Sequence, residues 1–305
     1  MILSALTPIF AIVLLGFVLS RTPLSSPEIW EQLERFTYYL FFPCLLVLRL
    51  SSSRYDLLEL GEIGLVLGLA LAVITLLIVG LREFISKEQG ALSSVYQGSI
   101  RFNTYIGLAC IDVLYGNSGL TLAALVLAVY IPLVNLLCVI SLTSGGRDNG
   151  KRLMVVAGSL VTNPLVLACL IGIAISYSGY RLPELLRSTL EILSQPTLPL
   201  GLLAVGAGIR FIAFGEQSWQ LLVAVFNKLL AFPALILLAC LLFETDPSMA
   251  AVILLLTSLP APPSAYIMAR QLGGNASLMA NIITLQTLAA FFLLPLWIEL
   301  GNRFL

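Results

Sequence analysis

The sequence predicts an all-α integral membrane protein with ten transmembrane helices, arranged as two inverted five-helix repeats. Three observations lead to this fold class. Of the 305 residues, 59% are apolar and only 10% are charged, whereas a soluble domain has roughly 25% charged residues. Apolar segments of about 20 residues alternate with short polar runs, and a helix of that length crosses a hydrocarbon core of about 30 Å. Rare residue types also recur at a constant spacing of 156 residues.

The ten predicted spans are apolar segments separated by short polar connections. Their approximate limits are 3–20, 36–53, 60–82, 91–115, 118–142, 153–177, 188–209, 218–243, 248–270 and 275–299. The first five spans form a repeat at 1–142, and the last five form a second repeat at 153–305. Residues 143–152 are rich in glycine, serine and asparagine, so we expect a flexible cytoplasmic linker between the repeats.

The repeat is visible because uncommon residues of the first half reappear in the second half. At an offset of 156, the matched pairs are Pro8 and Pro164, Gly16 and Gly172, Ser20 and Ser176, Pro27 and Pro183, Glu28 and Glu184, Pro43 and Pro199, and Arg54 and Arg210. A shift of 158 aligns Gly116-Asn117 with Gly274-Asn275, so span four corresponds to span nine. Because each repeat has an odd number of spans, the second repeat must enter the membrane from the opposite side.

The distribution of positive charge predicts the orientation in the membrane, since cytoplasmic loops are usually richer in Lys and Arg. One side of the predicted topology has nine such residues: Arg21, Arg35, Arg82, Lys87, Arg147, Lys151, Arg152, Arg210 and Arg270. The other side has five: Arg49, Arg54, Arg181, Arg187 and Arg303. We therefore expect a multi-pass protein of the cell (inner) membrane with both termini extracytoplasmic. The first apolar segment is expected to be a spanning helix rather than a cleaved signal peptide.

The composition excludes several classes of function. The formal net charge is zero and histidine is absent, so we expect neither a nucleic-acid-binding surface nor a site that needs imidazole. The five cysteines are Cys44, Cys110, Cys138, Cys169 and Cys240. Each lies alone in an apolar segment, which favours packing over disulfide formation or metal binding. The sequence therefore predicts no enzyme, no metal site and no cofactor.

The fourth span carries a charge near the middle of the membrane. Arg101 lies about ten residues into the span and is followed by Asn103 and Thr104. A charge at this depth costs at least about 2.5–3.5 kcal/mol on insertion scales, so the side chain must face protein or water. If the helix unwinds here, the next helix begins with free backbone N–H groups, and a cation beside them favours an anion site. The alternative is that Arg101 caps freed carbonyls or pairs with a distant acid.

Three prolines interrupt the ninth span. Pro260, Pro262 and Pro263 each remove a backbone donor, and their rings disfavour a helical conformation at the preceding residue. We therefore expect non-helical chain from 259 to 263. At this depth such a chain is tolerated only when it lines a cavity or is buried by protein.

The two interrupted spans are predicted to meet at a ligand site, because the repeat aligns them. Under the shift of 158, Ala261 aligns with Asn103. Broken helices of this kind form the mid-membrane sites of secondary transporters. The candidate substrate-binding residues are Arg101, Asn103, Thr104, Tyr105, Pro260, Ala261, Pro262, Pro263 and Ser264.

Other polar residues within the spans leave alternatives open. Lys228 in span eight either lines the substrate path or extends towards the membrane interface. Gln286 is a further candidate for the path, although single polar groups in apolar spans more often bond neighbouring helices. Asn135 and Asn163 belong to the same class of single polar groups. We expect no Asp or Glu near the breaks, which disfavours coupling through a buried acid pair, whereas sodium bound by carbonyls stays open.

These residues together resemble the auxin efflux carrier family, bacterial permeases related to the PIN-type plant auxin carriers. The features that carry the resemblance are Arg101-Phe-Asn103-Thr-Tyr-Ile-Gly107, Thr162-Asn-Pro-Leu165, Leu198-Pro-Leu-Gly201, Gly206-Ala-Gly208, Lys228-Leu-Leu-Ala-Phe-Pro233 and Pro260-Ala-Pro-Pro-Ser264. The resemblance implies an elevator-type carrier of small organic anions. Helices 1, 2, 6 and 7 would form the scaffold and a homodimer interface, and helices 3–5 and 8–10 would form the moving transport domain.

Two departures from the family pattern bear on the substrate. Asn103 is followed by Thr104, where plant members have Asn-Pro, and the long cytoplasmic loop of many plant members is absent from residues 143–152. The resemblance therefore implies a small dicarboxylate or a similar metabolite rather than auxin. The alternatives are a sodium-coupled carrier similar to the bile acid symporters, and a membrane sensor that binds a ligand without transporting it.

Overall fold

The fold is described from a computed structural model of the chain. The structure describes residues 2–23, 25–52, 57–143, 158, 162–210 and 217–305. Within these residues, all regular secondary structure is helical. Apart from its first residue, the predicted linker 143–152 lies outside the described residues, as does the start of the predicted span 153–177.

The helices follow one another with short connections. The first part of the chain contains α1 (Ile2–Leu19), α2 (Pro27–Phe36), a π-helical turn (Thr37–Phe41), α3 (Phe42–Ser51), α4 (Leu57–Gly80), α5 (Arg82–Ile85), α6 (Gln89–Ile100) and α7 (Thr104–Thr143). The second part contains α8 (Pro164–Ser178), α9 (Glu184–Ser194), α10 (Thr197–Ala207), α11 (Ser218–Phe226), a second π-helical turn (Asn227–Ala231), α12 (Phe232–Leu242), α13 (Pro247–Thr257), α14 (Ser264–Leu272) and α15 (Ala276–Phe304).

Six stretches of the described chain are long and apolar enough to cross a membrane as helices. They are Ile2–Leu19, Leu58–Gly80, Gln89–Leu142, Glu184–Ala207, Ser218–Leu242 and Ala276–Phe304. Two shorter apolar helices are Pro164–Ser178 and Pro247–Thr257. The chain is therefore a multi-pass membrane protein, and the total of ten spans remains a prediction.

The helices of spans four and nine are interrupted where the sequence predicted a break. Residues 101–103 separate α6 from α7, and Arg101 is extended there with φ −76° and ψ 147°. Residues 258–263 separate α13 from α14, where the three prolines cannot continue a regular helix. Within α7, Gly116 has φ 60° and ψ −151°, a conformation open essentially to glycine alone. The resulting kink falls between the predicted spans four and five.

Glycines allow two pairs of helices to pack with their backbones in contact. A Cβ atom at Gly206 of α10 would overlap the carbonyl of Val13 in α1, and one at Gly16 of α1 would overlap the backbone of Leu203. On the opposite pair, a Cβ atom at Gly172 of α8 would lie 2.7 Å from the side chain of Leu50 and 3.4 Å from the Cα of Val47, both in α3. These positions therefore need a residue without a side chain.

The buried core surrounds the interrupted helices. Every residue from Val252 to Leu256 in α13 is at most 2% exposed. The facing parts of α6, α7 and α15 are also largely buried. This packing holds the two breaks inside the protein, where each freed backbone group needs a partner.

Candidate functional site

The two helix breaks meet inside the protein. The backbone N–H of Asn103 donates to the carbonyl oxygen of Pro260 across an N···O distance of 2.7 Å. Both residues are buried, and Asn103 is 0% exposed. The bond pairs two polar groups that no helix can satisfy at this position. It also agrees with the prediction that the two breaks lie together.

Asn103 caps the start of α7 with its side chain. Its Oδ1 accepts from the backbone N–H of Tyr105 at 3.1 Å and of Ile106 at 3.2 Å. Its carbonyl accepts from the N–H of Gly107 at 3.0 Å. The expectation that α7 begins with free N–H groups is therefore wrong for Tyr105 and Ile106, because an Asn at the N-cap position takes these donors itself. Asn103 does not line the cavity described below. Its role is therefore to stabilise the backbone of the break and not to form the cavity wall.

Gln286 of α15 connects both breaks. Its Oε1 accepts from the N–H of Ala261 at 2.9 Å, and its Nε2 donates to the carbonyls of Gly98 at 2.9 Å and Ala224 at 3.0 Å. The carbonyl of Gly98 is one of those left without a helical partner when α6 ends. Gln286 is 0% exposed and does not line the cavity. Gln286, predicted as a candidate for the substrate path, therefore stabilises the backbone of the two breaks and does not contact the cavity.

Lys228 lies in the second π-helical turn and is also fully buried. Its Nζ donates to the carbonyl of Thr257, the last residue of α13, at 2.9 Å. The same Nζ lies 4.8 Å from the ring centre of Phe232 and 5.5 Å from that of Phe102. The amine thereby supplies a donor to one of the carbonyls left free at the end of a helix. Lys228 neither lines the cavity nor extends to the interface, since it is 0% exposed.

A cavity of about 400 Å³ opens beside the crossing point. Its walls come from α2, the first π-helical turn, α7, the start of α8 and α14. Six of the predicted site residues line it: Arg101, Thr104, Tyr105, Pro262, Pro263 and Ser264. Three do not line it and are buried: Asn103, Pro260 and Ala261. The volume is within the range of about 300–1,000 Å³ found for small-molecule sites.

Among the described residues, the guanidinium group of Arg101 has neutral partners at long hydrogen-bond distances. Its Nη1 lies 3.3 Å from Oδ1 of Asn135 and 3.5 Å from Sδ of Met268, and its Nη2 lies 3.4 Å from Oγ of Ser264. In the described part of the chain, no carboxylate is within ion-pair distance of it. The alternative in which Arg101 caps backbone carbonyls or pairs with an acid is not what the structure shows. Its charge therefore faces the cavity.

Glu34 was missed as a site residue by sequence reasoning. The sequence placed no acid near the breaks, and that expectation is wrong for the cavity, because Glu34 lines it together with Arg101. Along the chain, Glu34 precedes the second predicted span and has no local pattern that relates it to the fourth. The tertiary packing, in which α2 contacts α10 and the first π-helical turn, brings the two charges into one cavity.

Asn135 and Asn163, which the sequence groups with polar residues that hydrogen-bond neighbouring helices, also line the cavity. Asn163 caps α8, with its Oδ1 accepting from the N–H of Leu165 at 2.9 Å and of Val166 at 3.3 Å. The Asn163-Pro164 sequence is a local signal of a helix start and could have located this residue. Asn135 accepts from Arg101, a contact between the break after α6 and the second half of α7 that no sequence signal indicates.

A second cavity, of about 610 Å³, lies at the other end of the first half of α7. Asp112 lines it. At its wall, Nη1 of Arg49 donates to Oδ1 of Asn117 across 2.8 Å.

Tyr105, at the start of α7, lines the first cavity. Its ring packs against Phe42, with ring centres 5.5 Å apart, and against Gly201, where a Cβ atom would overlap the ring. The two cavities therefore open at opposite ends of the same helix.

Comparison with known proteins indicates the class of this chain. Residues 147–298, the second half of the sequence, match the model of the family described as "Membrane transport protein". Over 299 residues the chain is 24% identical to a protein of Rhizobium meliloti (strain 1021) named "Putative malonate transporter", covering 92% of this chain and 91% of that protein. Both matches indicate a membrane transporter rather than an enzyme.

Proposed function

We propose that this chain is a secondary transporter that moves small organic anions, such as carboxylates, across the membrane by an elevator mechanism. The observation that carries the proposal is Arg101, whose guanidinium group faces a cavity of about 400 Å³ and has neutral partners within the described part of the chain. A carboxylate is the natural ligand of such a group, because a planar guanidinium can donate two parallel, charge-assisted hydrogen bonds to it. The name of the 24% identical relative, a malonate transporter, agrees with this substrate class.

The position of the cavity supports alternating access. Glu34 and Gln271 at the cavity wall lie next to Arg35 and Arg270, which belong to the side predicted to be cytoplasmic. Asp112, at the wall of the second cavity, lies towards the other side. In this proposal the substrate site is open to the cytoplasm in the present conformation. After the movement of the transport domain, the substrate leaves or enters through the second cavity on the other side.

The glycine contacts support the inverted repeat on which the elevator mechanism depends. Gly16 and Gly172 differ by 156 positions, and so do their contact residues Val47 and Leu203. The contact of α1 with α10 and that of α3 with α8 are thus related by the same offset that aligns the two halves. These helices belong to the proposed scaffold, formed by predicted helices 1, 2, 6 and 7, which would also provide the homodimer interface. Predicted helices 3–5 and 8–10 would carry the site.

The test is uptake of radiolabelled malonate into proteoliposomes that contain the purified protein. We expect Arg101→Ala to lower uptake at low malonate concentration by roughly 10- to 150-fold, because losing a charge-assisted contact removes about 1.5–3 kcal/mol of binding free energy. Arg101→Lys should retain partial uptake, since the charge remains but the paired donors are lost. Arg270→Ala is the matched control, because Arg270 is exposed and does not line the cavity.

The same experiment separates the alternatives. Uptake by Arg101→Ala at the wild-type rate would refute the proposed role of this residue. Binding of malonate in a calorimetric titration, without uptake into the proteoliposomes, would identify a sensor rather than a carrier. Uptake that stops when sodium is replaced by choline would favour the sodium-coupled alternative.

A further inference from the structure

The cavity around Arg101 contains a second charge of opposite sign. Among the described residues that line it, the charged ones are Arg101 and Glu34. The side chain of Glu34 is partly buried, and it forms no ion pair within the described part of the chain. An anion held by Arg101 therefore shares the cavity with a carboxylate that repels it when ionised.

None of the described titratable groups around Glu34 forms an ion pair with it. These groups are Glu31 and Arg35 on α2, Tyr38 and Tyr39 in the first π-helical turn, and Arg101 and Tyr105 across the cavity. Glu31 and Arg35 are exposed, so water screens their effects. Residues 197–207 of α10, which pack against α2, contain no titratable side chain.

Protonation of Glu34 and binding of an anion favour each other. Burial raises the pKa of Glu34, and the neighbouring carboxylate of Glu31 adds to the effect. A bound anion acts in the same direction, since a nearby like charge favours the neutral carboxyl group. The coupling is reciprocal, so ionised Glu34 weakens anion binding. The affinity for the anion therefore falls as the pH rises through the pKa of Glu34.

We propose that Glu34 makes anion binding dependent on pH at the side of the membrane to which this cavity opens. This inference rests on the proposed function, because it takes the bound anion as its ligand. In the proposed elevator, Glu34 remains with the scaffold while Arg101 moves away with the transport domain. The carboxylate opposes the anion only in the conformation described here, and its ionisation promotes release of the anion on this side.

The test measures the affinity of the purified full-length protein for malonate by isothermal titration calorimetry from about pH 5 to pH 9, a range that begins just above the ordinary glutamate pKa. Glu34→Gln keeps the size of the side chain and removes its titration, and Glu34→Ala is a second neutral variant. Glu28→Gln is the matched control, because Glu28 is exposed on the same helix and does not line the cavity. The titration of malonate itself affects all variants alike.

We expect the ratio of the Glu34→Gln affinity to the wild-type affinity to rise with pH, by up to about tenfold for each pH unit above the pKa of Glu34. The same ratio for Glu28→Gln should stay nearly constant. If wild type binds malonate through Arg101 but neither neutral variant at Glu34 changes the pH dependence, the inference is overturned and the proposed function stands. If wild type and Arg101→Ala both fail to bind malonate, the proposed function fails and the inference fails with it.

Discussion

Replacing Gln286 with methionine should weaken the crossing point of the two broken helices. Methionine is about as long as glutamine but cannot form the three hydrogen bonds at 2.9–3.0 Å that Gln286 makes. The N–H of Ala261 and the carbonyl of Gly98 would remain buried without these partners. Each unsatisfied buried group costs about 1–3 kcal/mol, so the free energy of unfolding should fall by about 2–6 kcal/mol.

Thermal unfolding of the detergent-solubilised protein can be followed with a thiol-reactive fluorophore, because all five cysteines are free and buried in the folded state. We expect the Gln286→Met variant to unfold several degrees below wild type. Gln97→Met is the matched control, since Gln97 is 0% exposed and its side-chain atoms have no hydrogen-bond partner within the described structure. That variant should unfold at the wild-type temperature or above it. Equal unfolding temperatures for the two variants would refute the argument from hydrogen bonds.

Two further predictions concern the backbone of the fold. Asn103→Ala should lower the free energy of unfolding by about 1 kcal/mol, because α7 loses its N-cap. Asn103→Asp should restore part of this loss by supplying the acceptor again. The same thermal assay compares the variants, and an unchanged unfolding temperature for Asn103→Ala would contradict the capping role. Gly206→Ala should lower stability by about 1–3 kcal/mol, since the added methyl group overlaps the carbonyl of Val13. Gly68→Ala should instead raise stability by about 0.5–1 kcal/mol, because Gly68 lies inside α4 with open space around it, and a similar loss in both glycine variants would argue against tight contact between α1 and α10.

The positions of the helix breaks could be read from the sequence, since their causes are local. The rings of Pro260, Pro262 and Pro263 restrict the adjacent backbone and remove donors wherever these residues stand. The depth of Arg101 in an apolar span indicated a site residue, because a charge there has to face water or protein. The composition likewise determined a multi-pass helical protein before any contact was known.

The partners of these residues depended on the tertiary structure. Gln286 reaches backbone groups of three different segments, and Lys228 caps α13 instead of facing the cavity. Glu34 shares a cavity with Arg101 although nothing along the chain relates them. Proline geometry and hydropathy act over a few residues, so the sequence alone determined where the chain breaks and which charge lies deep in the membrane. Contacts between distant helices depend on how whole helices pack, and only the tertiary structure decided which side chains surround that charge.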